Sequence, residues 1–137
     1  MVGIFGLAWL GDTFIKGNEK IIIGAIGDIT TTYPITFALG LFFASVLLFS
    51  QAATTRALMP LGISLGIAAP NLIAMWPCVN GYFFLPTYGT IIAAINFDRT
   101  GTTRIGRFVL NHSFMLPGLV ATGSAVVIGL VIARFVF

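Results

Sequence analysis

Positions 50 to 56 read SQAATTR, and five of these seven residues carry side-chain hydrogen-bond donors. They are the hydroxyls of Ser50, Thr54 and Thr55, the amide of Gln51 and the guanidinium of Arg56. Donors packed this closely can hold an anionic group or an ion, and Arg56 can pair with a carboxylate through two parallel hydrogen bonds. The setting is unusual for such a set. Residues 33–49 before it are almost wholly apolar, and no charged residue follows Arg56 until Asp98. A charged side chain inside a membrane segment is a candidate for function by default, although an arginine at the interface can also extend its head group to water.

A second polar cluster, NGYFFLPTYGT, starts at Asn80. Asn80 and Thr87 flank Pro86 in an otherwise apolar run. They can answer backbone groups freed by the helix break, bind a ligand, or hold neighbouring helices together. Tyr82 and Tyr88 fit an interfacial aromatic belt. His112 can accept or relay a proton, and the simpler expectation is a hydrogen bond at a helix end. Enzyme chemistry finds little support. The four acids, Asp12, Glu19, Asp28 and Asp98, make no i, i+3 or i, i+4 pair, and no Cys/His spacing suits a metal. The reading is therefore a non-enzyme with no metal and no cofactor.

The elements that must position these residues follow from composition. Hydrophobic residues make up 58% and charged residues 8% of the chain, against about 25% charged in soluble domains. Mean hydropathy is +1.03. Such a chain cannot cover a water-facing surface, so the bilayer is its expected solvent. One span takes roughly 20 apolar residues. The chain thus predicts a single all-α integral membrane domain over residues 1–137, with four to five transmembrane helices, several of them broken by proline or glycine.

Residues 1–15 read as the tail of a span, 16–20 as a polar turn, and 21–32 as an interfacial stretch. Helices are expected over 33–49, over 58–76 with Pro60 and Pro70 inside, over 79–95 interrupted by Pro86, and over 108–137 with Pro117 near its start. Proline removes a backbone hydrogen bond, and in hydrocarbon the freed carbonyl survives where protein or a water-filled cavity receives it. The spacing Gly62-x-x-x-Gly66 offers a surface for close helix approach.

Three readings of residues 50–56 remain open on spacing alone. The almost wholly apolar run before them is seventeen residues long, about 26 Å of helix and almost a full crossing, which suits a loop at the far interface. They can equally be a polar turn of one long helix ending at Pro60, or the tip of a re-entrant hairpin near the midplane. The loop 96–107 carries Arg99, Arg104 and Arg107 against the single acid Asp98. Short arginine-rich loops stay cytoplasmic, which puts the C-terminus on the opposite, periplasmic side. The net charge of +3 forms no basic face for nucleic acid. Cys78 has no partner cysteine in the chain.

The stretches NGYFFLPTYGT and FDRTGTTRIGRFVLNHSFMLPG, with GLAWLGDTF near the start and SQAATT, resemble the end of the anaerobic C4-dicarboxylate transporters of the DcuA/DcuB type. The resemblance spans nearly the whole chain. Family members are roughly three times longer, with many spans, so the chain resembles their C-terminal third. It implies a secondary transporter, or a piece of one, moving fumarate, succinate, malate or aspartate across a bacterial inner membrane. The missing N-terminal part, or another membrane chain, is the implied partner alongside the lipid bilayer. It also favours the hairpin-tip reading, with Ser50, Gln51, Thr54, Thr55, Arg56, Asn80 and Thr87 as substrate-binding candidates. A competing function class stays open, that of a truncated remnant or small membrane subunit acting only by helix association.

Overall fold

The computed structural model describes residues 9, 13, 14, 17, 18, 20, 21, 30, 32–48, 50–86, 88–105 and 111–137. The expected segments over 1–15, 16–20 and 21–32 fall largely outside these residues, as do Asp12, Glu19, Asp28, Thr87 and Arg107. Within the described residues the chain is helical. Helix α1 covers Ile35–Leu48, α2 Gln51–Ser64, α3 Ala69–Met75, α4 Gly89–Phe97 and α5 Met115–Val136, with a 3-10 helix over Trp76–Phe83 continuing directly from α3. An isolated antiparallel bridge joins Ile105 and His112.

Local chemistry explains the boundaries and corrects three expected ones. The polar stretch at 50–56 is neither a loop nor a turn of a longer helix. Ser50 adopts an extended conformation (φ −151°, ψ 117°), and its hydroxyl accepts the backbone N–H of Ala53. This is an N-cap, so a new helix starts at Gln51. That helix runs through Pro60 instead of breaking there. Pro60 is exposed, and its ring removes only the donor that the Arg56 carbonyl would have met.

The helix expected over 58–76 is two helices. Gly66 takes φ +77°. The N–H of Gly66 returns to the Ile63 carbonyl and that of Ile67 to the Gly62 carbonyl, the paired closure of a Schellman motif. Pro70 then sits in the first turn of α3, where its missing N–H costs nothing. The helix expected over 79–95 is likewise replaced by the 3-10 helix, an irregular stretch around Pro86, and α4.

Helices α1 and α2 form an antiparallel hairpin with Ser50 at its tip. A Cβ built on Gly62, near the end of α2, would lie 2.9 Å from the ring of Phe37, near the start of α1. Each helix has 14 residues, about 21 Å, well short of the ~30 Å hydrocarbon core. By contrast α5, with 22 residues and a mean hydropathy of 2.2, is the one described helix long and apolar enough to cross a membrane.

The 3-10 helix is the hub, touching α1, α2, α3 and α5. Its approach to α1 depends on Gly81, where a Cβ would meet the Phe42 carbonyl and the Ser45 hydroxyl at 2.6 Å each. The core is built from Phe37, Leu41, Phe42 and Val46 of α1 with Leu61, Leu72, Met75 and Val79. Phe42 is its aromatic centre, edge-to-face with Phe83 and Phe84 at 6.0 and 5.6 Å between ring centroids. In lipid the surroundings are as apolar as leucine, so association rests on close packing and interhelical hydrogen bonds. That is why glycine contacts and single polar pairs matter here.

Candidate binding site at the tip of a helical hairpin

At the hairpin tip Ser50 does two local jobs. Its hydroxyl caps α2, and its carbonyl accepts the Thr54 hydroxyl at 2.8 Å. Thr54 is fully buried, so its hydroxyl serves the helix start. The aligned peptide dipoles of α2 place roughly half a positive charge at this tip.

Gln51 reaches across the molecule, and its side-chain amide donates to the side-chain oxygen of Asn80 in the 3-10 helix. The two polar stretches read from the sequence therefore meet in space at Gln51 and Asn80. One turn further along α2, the Thr55 hydroxyl accepts the indole N–H of Trp76 at 3.2 Å. Gln51 and Thr55 share the face of α2 turned to the 3-10 helix.

Arg56 does not join them. It is exposed, about 140° around the helix axis from Gln51. Pro60 cannot donate to its carbonyl. Thr87 lies outside the described residues.

Asn80 is half-buried and also lines a cavity of about 400 Å³ between the 3-10 helix, α4 and α5, together with Tyr82, Thr122, Pro77 and Pro117. Tyr82 stacks on Tyr88, with ring centroids 4.6 Å apart and planes tilted by 42°. Two polar residues passed over in the sequence support this region. Ser45 is fully buried and donates to the Phe42 carbonyl at 2.7 Å, with the Cys78 carbonyl 3.3 Å away. Thr122 lies among the cavity walls. Neither stood out, because a lone serine or threonine in an apolar helix commonly bonds back to its own turn. Ser45 does so, and its reach to the 3-10 helix depends on the close approach at Gly81.

His112 is buried. Its Nδ1 accepts the Phe114 N–H, and its Nε2 lies 3.3 Å from the Phe84 carbonyl. It thus makes the hydrogen bond at the start of α5 that its position suggested. In the loop before it, the Asp98 carboxylate accepts the backbone N–H groups of Thr100 and Thr103 at 2.8 and 2.7 Å and the hydroxyls of Thr100, Thr102 and Thr103. The Thr100 hydroxyl, then the Thr103 hydroxyl and the two backbone donors, hold this carboxyl far below the usual carboxylate range.

The sequence matches one family model along the entire chain. The family described as anaerobic C4-dicarboxylate membrane transporter matches residues 1–137. The C4-dicarboxylate transporter DcuA of Wolinella succinogenes is 48% identical over 130 residues, covering 95% of this chain and 30% of that protein. DcuA of Escherichia coli strain K12 is 46% identical over 132 residues, covering 96% and 30%. The anaerobic C4-dicarboxylate transporter DcuB of Escherichia coli O6:H1 is 40% identical over 133 residues, covering 97% and 30%. No solved structure matches the chain. The relatives are transporters rather than enzymes, and the chain spans about 30% of their length. On this match the chain belongs to the anaerobic C4-dicarboxylate membrane transporter family.

Proposed function

We propose that this chain supplies the hairpin half of a secondary-transport site for C4-dicarboxylates such as fumarate, succinate, malate or aspartate in a bacterial inner membrane. The observation that carries the reading is the amide pair between Gln51 and Asn80 at the capped start of α2. It joins a helix N-terminus, which favours a carboxylate, to an irregular helical segment, and transporter sites are commonly assembled from such discontinuous helices. The short helices α1 and α2 suit a re-entrant hairpin whose tip stops inside the bilayer. Gln51 and Asn80 orient each other, the start of α2 faces one carboxylate, and Arg56 faces the remainder of the transporter and answers the second. Ser50, Thr54 and Thr55 hold the tip in shape, and Thr87, next to Pro86 in the sequence, is a further candidate. A domain of four to five transmembrane helices around this hairpin is part of the same proposal.

A site of this kind is closed by a second set of broken helices. The chain spans about 30% of its relatives' length, which supports a partner: the segment those relatives carry beyond the aligned third. The arginine-bearing loop 96–107 is on the cytoplasmic side and Phe137 on the periplasmic side, by the asymmetry of positive charge. An alkaline phosphatase fused after Phe137 is then active and a fluorescent protein there is dark, and the reverse pair of results overturns the orientation.

The test of the site uses a chimera in which this chain replaces its aligned third of Escherichia coli DcuA. Arg56→Ala and Asn80→Leu each lower succinate uptake without lowering the amount of protein in the membrane. Unchanged uptake in both would remove the hairpin tip from the substrate path.

A further inference from the structure

We infer that the apolar groove between α1 and α5 is the seat of a transmembrane helix from the part of the transporter that lies beyond this third. The groove has a volume of about 420 Å³. One wall is the row Ile35, Leu39 and Phe43 of α1, and the other is Leu119, Gly123 and Val127 of α5. Each row steps by four residues, so each wall is a straight ridge about 12 Å long, the form into which a third helix packs. Both walls are open, with Leu39 and Phe43 each 56% exposed and Val127 61% exposed.

The glycines of α5 separate a helix seat from a surface that merely faces lipid. A Cβ on Gly118 would lie 2.4 Å from the ring of Phe83, and one on Gly129 would lie 3.0 Å from the Cα of Ala74. Both glycines are therefore taken up by contacts inside this chain. A Cβ on Gly123 meets nothing within 4 Å. It leaves a notch midway along the groove wall, where a backbone can approach closely, and membrane helices use small residues for that purpose. A fluid acyl chain needs no such notch. The occupant is argued from the length of the relatives: about 30% of each aligns with this chain, so a transporter of that length has further helices to seat on the faces this third leaves open. Only Val126 and Ala133 of α5 are buried, so α5 has most of its surface left for that contact. The inference rests on family membership and not on the substrate reading.

The test places the photo-cross-linker benzoylphenylalanine at position 39 in the chimera with Escherichia coli DcuA, in native membranes. The expected adduct lies within one polypeptide, joining position 39 to a helix outside the aligned third, as mapped by mass spectrometry of the digest. Gly123→Leu fills the notch and lowers the yield of that adduct severalfold. Adducts only to phospholipid would show a lipid-facing groove and overturn the proposal. An adduct to a second copy would show a dimer contact and overturn it equally. Because the readout is a covalent contact, a loss of succinate uptake from the hairpin site leaves it unaffected.

Discussion

The side-chain amide of Gln51 donates to the side-chain oxygen of Asn80, 29 positions further along the chain. This bond fixes the start of α2 against the 3-10 helix at the point where the hairpin turns. Amide pairs between membrane helices couple by about 0.6 kcal/mol on average and up to about 1.7. A double-mutant cycle of Gln51→Leu, Asn80→Leu and the pair, read from thermal unfolding in bicelles, should give coupling within that range. Additive losses, with no coupling, would show that the two amides do not support each other.

The second prediction contrasts two glycines. Gly81→Ala drives a methyl to 2.6 Å from the Phe42 carbonyl oxygen, which is backbone and cannot swing aside. Overpacking of this kind costs about 1–3 kcal/mol. Gly40 lies in α1 with nothing within 4 Å of a built Cβ, so Gly40→Ala should gain up to about 1 kcal/mol from helix propensity. Opposite shifts in the unfolding midpoint are expected, and equal shifts would refute the close approach of α1 to the 3-10 helix.

The all-helical character was legible from composition, although only α5 among the described helices is long and apolar enough to cross a membrane. The polar clusters at Ser50 and Asn80 stood out because everything around them is greasy. Helix boundaries were less legible, since hydropathy does not register caps. Ser50 is one polar residue among several until its hydroxyl is seen on the Ala53 N–H. Gly66 reads as half of a glycine pair, yet it acts through its left-handed backbone while Gly62 alone provides the close approach. Nor could spacing place Arg56 on a different face from Gln51. That follows only once α2 is known to begin at position 51.

Ser50 allows capping and anion binding to be separated. Ser50→Ala removes the cap and should cost about 1 kcal/mol. Ser50→Asp keeps an oxygen for the Ala53 N–H and complements the helix dipole, so stability is retained. It also places a negative charge where the proposed site receives a carboxylate, so succinate uptake by the chimera should fall sharply. Full uptake by the Ser50→Asp chimera would argue that the substrate passes elsewhere.

The last prediction concerns acid. The carboxylate of Asp98 organises residues 98–103 by accepting five donors, led by the hydroxyl of Thr100. Its folded pKa therefore lies below the value of about 3.9 for an unstructured aspartate. The sign follows from proton binding: the unfolded loop takes up a proton more readily than the folded one as pH falls. The loop's order is accordingly complete above the unfolded value and is lost only as pH drops through the folded one, a window below about pH 4. The carboxyl carbon resonance of Asp98, followed by NMR of the labelled chain in micelles, should stay in its ionised position throughout the neutral and mildly acidic range and move only under strong acid. Replacing Thr100 and Thr103 together by valine removes two hydroxyl donors but keeps both backbone ones, so the midpoint should rise toward the ordinary value without reaching it. A midpoint near 3.9 in the unaltered chain would mean that the threonines do not hold the carboxylate, and the loop would then be ordered by its pinned ends at Arg104 and Ser113 instead.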